Sequence, residues 1–200
     1  MDKIKAVLFD MDGTLVDSYD AWFEAFNSAL VHFGFSKIER QEFSENIWAI
    51  SFGISIKKYL PGITSGKIQE YYFDTFQNFI CLIRLNNNVL EILEYFKSKN
   101  IKLAVVSNTQ ANIIKKILSK LKILQYFDFI IGGDSVKTGK PNPEIIKLAC
   151  KSLSVLETET IFVGDTIFDK KAAISAGSNF IGYNFGDITD LVELKGYLKC

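Results

Sequence analysis

Hydrophobic and polar positions along this chain come in blocks. Residues 6–9, Ala-Val-Leu-Phe, are apolar without a break, the pattern of a short strand covered on both faces. Similar runs recur at 102–106, 127–131, 160–163 and 180–182. Between them apolar residues fall at helical spacing: 88–99 with Val89, Leu90, Leu93 and Phe96, then 111–121, 143–153 and 169–176, with a closing segment at 187–198. Pro143 suits a first helical turn, where its missing N–H is not needed, and Gly177 supplies a stop. Strands alternating with helices require right-handed crossovers and predict an α/β fold built on a doubly wound parallel sheet.

One long stretch departs from that rhythm. Ala21, Trp22, Ala25, Phe26, Ala29, Leu30 and Phe33 mark a helix that Asp17 or Ser18 can cap and Gly34 can end. A further helix is expected over 39–50 and a stronger one over 65–83, the latter with Ile68, Tyr72, Phe76, Phe79 and Ile83 on its inner face. Residues 51–55 and 61–64 read as loops, and no strand signal occurs in this region. The expected organisation is a core from residues 1–16 and 87–200, with residues 17–86 inserted as a small all-helical cap domain.

Composition narrows the function. Hydrophobic residues make up 48% of the 200, with 17 Phe, ample for a real core. Lys+Arg and Asp+Glu are equal at 23 each, and the arginines are Arg40 and Arg84 alone, so no basic field points to nucleic acid or an anionic membrane. Cys81, Cys150 and Cys200 show no metal-type spacing and fit a reducing compartment. No segment approaches the roughly 20 apolar residues of a membrane helix, and the start, MDKIKAVLFD, is a poor secretory signal. A cytoplasmic monomer or homodimer is expected. His32 is the sole imidazole and is expected to be neither catalytic nor a ligand.

In a doubly wound sheet, ligands bind beyond the carboxyl ends of the strands, so the residues just after each strand matter most. After the first come Asp10 and Asp12, then Gly13 for a sharp turn and Thr14 with a hydroxyl. Alternate residues of an extended chain point the same way, and two carboxylates so placed repel unless a cation or a shared proton relieves them. The plainer alternative is a solvated Asp-Gly turn. After the second strand of the core comes Ser107-Asn108-Thr109, an anion seat or a simple helix cap. Lys140 stands ahead of Pro143 and could reach back to the sheet or lie on the surface. Asp165 and Asp169 follow the fourth strand, where an N-cap role would explain Asp169 but not its neighbour. Four unrelated plain explanations would have to coincide on one rim.

Asp10-Met-Asp12-Gly-Thr, Ser107-Asn108, Lys140-Pro and Gly164-Asp165-xxx-Asp169 resemble, in order, the four motifs of the haloacid dehalogenase superfamily. The resemblance covers nearly the whole chain, including a cap inserted after the first motif, and points to the branch that holds phosphoglycolate phosphatases and β-phosphoglucomutase-like proteins. It implies a Rossmann-like core and Mg²⁺ ligated by the side chains of Asp10 and Asp165 and the backbone carbonyl of Asp12, with Asp169 in support. Asp10 would be the nucleophile and form an aspartyl-phosphate, and Asp12 would be the acid and base. Ser107, Asn108 and Lys140 would bind the phosphate, and Lys140 would also restrain Asp10. Asp12 and Thr14 favour phosphoryl transfer to water on a small phosphorylated metabolite. A phosphomutase or a non-catalytic phosphate-binding module are the other readings. Phosphonate-cleaving relatives use a cap lysine, a reading that Lys57 and Lys58 keep formally open in a local context that does not match. Residues 51–54, Ser-Phe-Gly-Ile, are the expected specificity loop. Two arginines in this region leave little to read a second anionic group, which argues against a phosphoglycolate-type substrate.

Overall fold

A computed structural model describes residues 3–48 and 58–198. The chain divides into two units, Met1–Asp17 with Leu85–Cys200, and Ser18–Arg84.

The first unit is organised by a five-stranded parallel sheet. Its strands are β1 (Ala6–Phe9), β4 (Lys102–Val106), β5 (Phe129–Ile131), β6 (Thr160–Gly164) and β7 (Asn179–Gly182), in the order β5-β4-β1-β6-β7. Every residue of β1 is buried, because β4 and β6 pair on its two sides and helices cover its faces. The helices of this unit are α4 (Val89–Ser98), α5 (Ala111–Lys120), α6 (Glu144–Leu153) and α7 (Ile167–Ala176). From β1 the order runs one way through β4 to β5 and then returns to β6 and β7, so it reverses at β1. A crevice opens at the carboxyl end of such a strand.

Two short strands, β2 (Val16–Asp17) and β3 (Arg84–Leu85), pair where the chain leaves and re-enters this unit, although the sequence shows no strand signal there. At two residues each, they are too short for a period-2 pattern to register.

The second unit contains α1 (Tyr19–His32), α2 (Arg40–Asn46) and α3 (Ser65–Thr75), then two short 3₁₀ segments, Phe76–Asn78 and Ile80–Leu82. Its interior is aromatic. Trp22 lies 4.3 Å from Phe76, and Tyr19 meets Phe43 edge-on at 5.5 Å. The helix expected over 65–83 thus tightens after Thr75.

Several local expectations need correction. Ser18 occupies the N-cap position of α1 without a side-chain cap hydrogen bond. Leu90 is 45% exposed, and Ile92 takes the buried place beside Leu93. The closing segment is a 3₁₀ stretch, Leu191–Tyr197, capped by Asp190 and Glu193, in place of a helix over 187–198. The helix expected over 39–50 ends at Asn46, with Ile47 as its C-cap, and the expected specificity loop at 51–54, Lys57 and Cys200 lie outside the described residues. No described helix is long and apolar enough to cross a membrane.

Candidate active site

The loop after β1 is held tightly. Asp10 N donates to Val163 O at 2.8 Å, and Leu15 N and Val16 N both donate to Met11 O, at 3.0 and 3.1 Å. Gly13 has a φ of +83°. A β-carbon there would stand 2.1 Å from Asp165 Oδ2, so only glycine lets the two loops meet. Thr14 is fully buried and its hydroxyl donates to Asp165 Oδ1 at 3.1 Å. Asn86 Nδ2 donates to the carbonyls of Gly13 and Thr14, at 3.1 and 2.9 Å. Asn86 escapes sequence reasoning, since nothing local distinguishes it from Asn87 and Asn88.

Three carboxylates converge at the mouth of this crevice. Asp10, Asp165 and Asp169 each present an oxygen within 4.8 Å of the others. Asp169 is the N3 residue of α7, where its Oδ2 accepts from Thr166 N and Oγ1 at 3.0 and 2.5 Å. Thr166, not Asp169, is the N-cap, and the reciprocal bond from Asp169 N to Thr166 Oγ1 completes a capping box. That arrangement leaves Asp169 Oδ1 for the site.

Lys140 is buried among these acids. Its Nζ lies 2.6 Å from Asp10 Oδ1 and 2.7 Å from Asp169 Oδ1, and donates to Val106 O at 3.3 Å. Asp169 Oδ1 has this ion pair but no well-aligned hydrogen bond. Burial works against the charge on Lys140, but Asp10 and Asp169 outweigh it and push its pKa up. Burial pushes the Asp10 carboxyl well above its usual range; Lys140 opposes that shift, while Asp169, Asp165 and Asp12 add to it. Asp165 is raised to about 6 by burial and then by Asp169.

The residues fit a hard divalent cation. Three clustered carboxylates face one buried lysine, and Asp10 is driven toward its neutral form by burial. A second positive charge beside Asp10 and Asp165 would reverse that drive, and oxygen donors suit Mg²⁺.

The Ser107 segment departs from a simple phosphate cradle. Ser107 is buried, its N–H donates to Ile131 O at 3.2 Å, and its Oγ accepts from Thr109 N at 3.1 Å. Neither of these bonds uses its hydroxyl proton. The side chain of Asn108 grips the main chain of Lys140, which leaves any contact of Asn108 with phosphate to its backbone N–H. Nδ2 donates to Lys140 O at 3.1 Å, and Oδ1 accepts from Lys140 N at 2.8 Å. A β-carbon at Gly139 would stand 2.3 Å from that Oδ1, so the clamp requires glycine there. Thr109 Oγ1 donates to Asp12 Oδ2 at 2.9 Å, a contact the sequence does not reveal. Neither Asn108 nor Thr109 caps α5, whose N-cap is Gln110.

Residues set aside on sequence grounds lie elsewhere. In the second unit the His32 ring stacks on Tyr71 at 4.3 Å, and Lys58 donates to Asn46 Oδ1 at 3.1 Å. Cys81 is an exposed free thiol and Cys150 a buried one.

The haloacid dehalogenase-like hydrolase family model matches residues 7–183. A phosphorylated carbohydrates phosphatase of Thermotoga maritima is 31% identical over 205 aligned residues, covering 98% of this chain and 91% of its own length. A phosphoglycolate phosphatase of Aquifex aeolicus is 31% identical over 180 residues, covering 88% of this chain and 82% of its own. Among solved structures, a protein described as a predicted phosphoglycolate phosphatase from Haemophilus somnus 129pt superposes with a TM-score of 0.83 at 26% identity, covering 100% of both chains. With its motifs in order on a parallel sheet and a family match over most of its length, the chain belongs to the haloacid dehalogenase-like hydrolases.

Proposed function

We propose that the chain is a Mg²⁺-dependent phosphomonoester hydrolase acting on a small phosphorylated metabolite through an aspartyl-phosphate on Asp10. The observation that carries this reading is the convergence of Asp10, Asp165 and Asp169 around the buried Lys140. Asp10 and Asp165 would hold the ion by side chain and Asp12 by its carbonyl, with Asp169 in support. When bound, Mg²⁺ supplies positive charge that keeps Asp10 ionised and offsets the charge of the phosphoryl oxygens.

The rest is the work of side chains. Lys140 restrains Asp10 Oδ1 at 2.6 Å, leaving the second oxygen of that carboxylate to attack phosphorus. Asp12 protonates the departing alkoxide and then takes a proton from the water that splits the aspartyl-phosphate. The hydroxyl of Ser107 donates to a phosphoryl oxygen. Asn108 holds the main chain that carries Lys140.

Relatives with the names phosphorylated carbohydrates phosphatase and phosphoglycolate phosphatase support a small phosphorylated substrate. A panel of phosphorylated metabolites, assayed for released phosphate with and without Mg²⁺, tests this. Phosphate release should require Mg²⁺ and disappear in Asp10→Asn while the variant still folds; undiminished turnover in that variant would refute it. A requirement for a bisphosphate activator would identify a mutase instead.

A further inference from the structure

Thr109 is tied to two residues of the proposed chemistry without having a step of its own. Its hydroxyl donates to Asp12 Oδ2 at 2.9 Å, across 97 residues of chain. Its amide donates to Ser107 Oγ at 3.1 Å. Its own carbonyl accepts from Gly133 N at 3.1 Å, so the residue is anchored in the loop that follows β5. All of these residues belong to the unit that contains the sheet.

The geometry has a chemical consequence. The terminal torsion of an aspartate is broad, so a carboxyl at a loop turn does not by itself aim either oxygen. Proton delivery requires the donating oxygen to come within hydrogen-bond reach of the leaving group, about 2.6–3.2 Å. A hydroxyl fixed in a neighbouring loop restricts that rotation by taking one carboxyl oxygen.

We propose that Thr109 is a positioning residue for Asp12. By holding Oδ2 it aims the carboxyl at the leaving oxygen, and through its amide it keeps the acid in register with the Ser107 hydroxyl. This rests on the phosphomonoesterase reading. In the first half-reaction a bond forms between Asp10 and phosphorus while the bond from phosphorus to the leaving oxygen breaks, and the proton of Asp12 passes to that oxygen. In the second, water oxygen bonds to phosphorus, the bond to Asp10 breaks, and Asp12 accepts the water proton. Thr109 keeps its own proton throughout.

The test compares kcat/KM, which reports the steps through departure of the leaving group, on two substrates. One is p-nitrophenyl phosphate, whose phenolate leaves without needing a proton. The other is the best alkyl phosphate of the metabolite panel. Thr109→Val should lower kcat/KM on the alkyl ester by roughly 10- to 100-fold, a part of the usual contribution of a general acid, and on p-nitrophenyl phosphate by less than about 3-fold. Thr109→Ser, which keeps the donor, should restore the alkyl ester rate to within about 3-fold. Equal losses on both substrates, or no loss on either, would overturn the proposal. Asp12→Asn separates the two levels. If it shows the leaving-group dependence and Thr109→Val does not, the positioning role alone fails. If Asp12→Asn shows none, the acid–base reading fails with it.

Discussion

Both units have apolar interiors, but they differ in the polar groups they bury. Among the described residues, the buried polar groups of the sheet-containing unit include three ionisable ones, Asp10 just after β1, Lys140 in the loop between β5 and α6, and Asp169 in the first turn of α7. Those of the inserted unit are Ser18 and Asn27, both neutral, and Asn27 exchanges two hydrogen bonds with the main chain of Ile38. Around them the insertion packs rings: Phe43 lies within 5.5–6.2 Å of Tyr19, Phe23, Phe26 and Trp48. Apolar packing stabilises wherever it is placed, whereas buried charge stabilises only when it is paired. The contrast locates the chemistry: among the described residues, the buried acids and the lysine that pairs with them gather beyond the carboxyl edge of the sheet.

The strongest way to break this contrast is to remove the central cation. Lys140→Met would leave Asp10 and Asp169 buried without their partner and should destabilise the Mg²⁺-free protein by about 3–5 kcal/mol in urea unfolding. Mg²⁺ should recover part of that loss but not turnover. A variant as stable as its parent in chelator would show that the ion pairs do not hold the rim together.

A smaller effect sharpens the other side. Ile68 is fully buried in α3, and Ile68→Val should cost about 0.5–1.5 kcal/mol. The loss should be the same with and without Mg²⁺; a loss that Mg²⁺ abolished would mean that the insertion's packing depends on the charged rim.

The smallest effect is on pH dependence. Without metal, Asp165 titrates in the fold at about 6, above its ordinary value of 3.8. Between those values the folded chain binds more protons than the unfolded one, so this group's contribution lowers stability as pH rises through that window. Asp128 and Glu159 work the other way and at lower pH. Burial opposes the shift of Asp128, but a hydrogen bond from Leu103 N prevails and lowers its pKa, and a hydrogen bond from Lys5 lowers Glu159. Melting temperatures in chelator between pH 4 and 7 should therefore fall less steeply, or rise more, in Asp165→Asn than in the parent. Identical profiles would refute the assignment. Mg²⁺ competes with the same protons, so its stabilising effect should grow as pH rises past about 6.

Much of the fold is legible in the sequence, for local reasons. The strand at Lys102–Val106 and the helix at Ala111–Lys120 follow from unbroken apolar runs and a 3.6-residue period. Leu90 and Ile92 show where period alone is ambiguous: both fit an apolar stripe, and the packing partners of α4 choose between them. The short ends were harder. Leu191–Tyr197 has helical periodicity, but too few residues for local signals to separate a 3₁₀ coil from an α-helix.

Sequence by itself determined which chemical groups stand at strand ends: Asp10, Asp12, Ser107 and Asp165 each directly follow an apolar run or close to its end, and that placement is a one-dimensional property. Only the tertiary structure decided which of them meet. The strand order β5-β4-β1-β6-β7 brings Lys140 to Asp10, Thr109 to Asp12 and Thr14 to Asp165, and sets the Asn108 side chain as a clamp on the main chain of Lys140. Those partners lie 32 to 151 residues apart along the chain. No local period encodes such a distance; it is set by the order in which strands pair across the sheet.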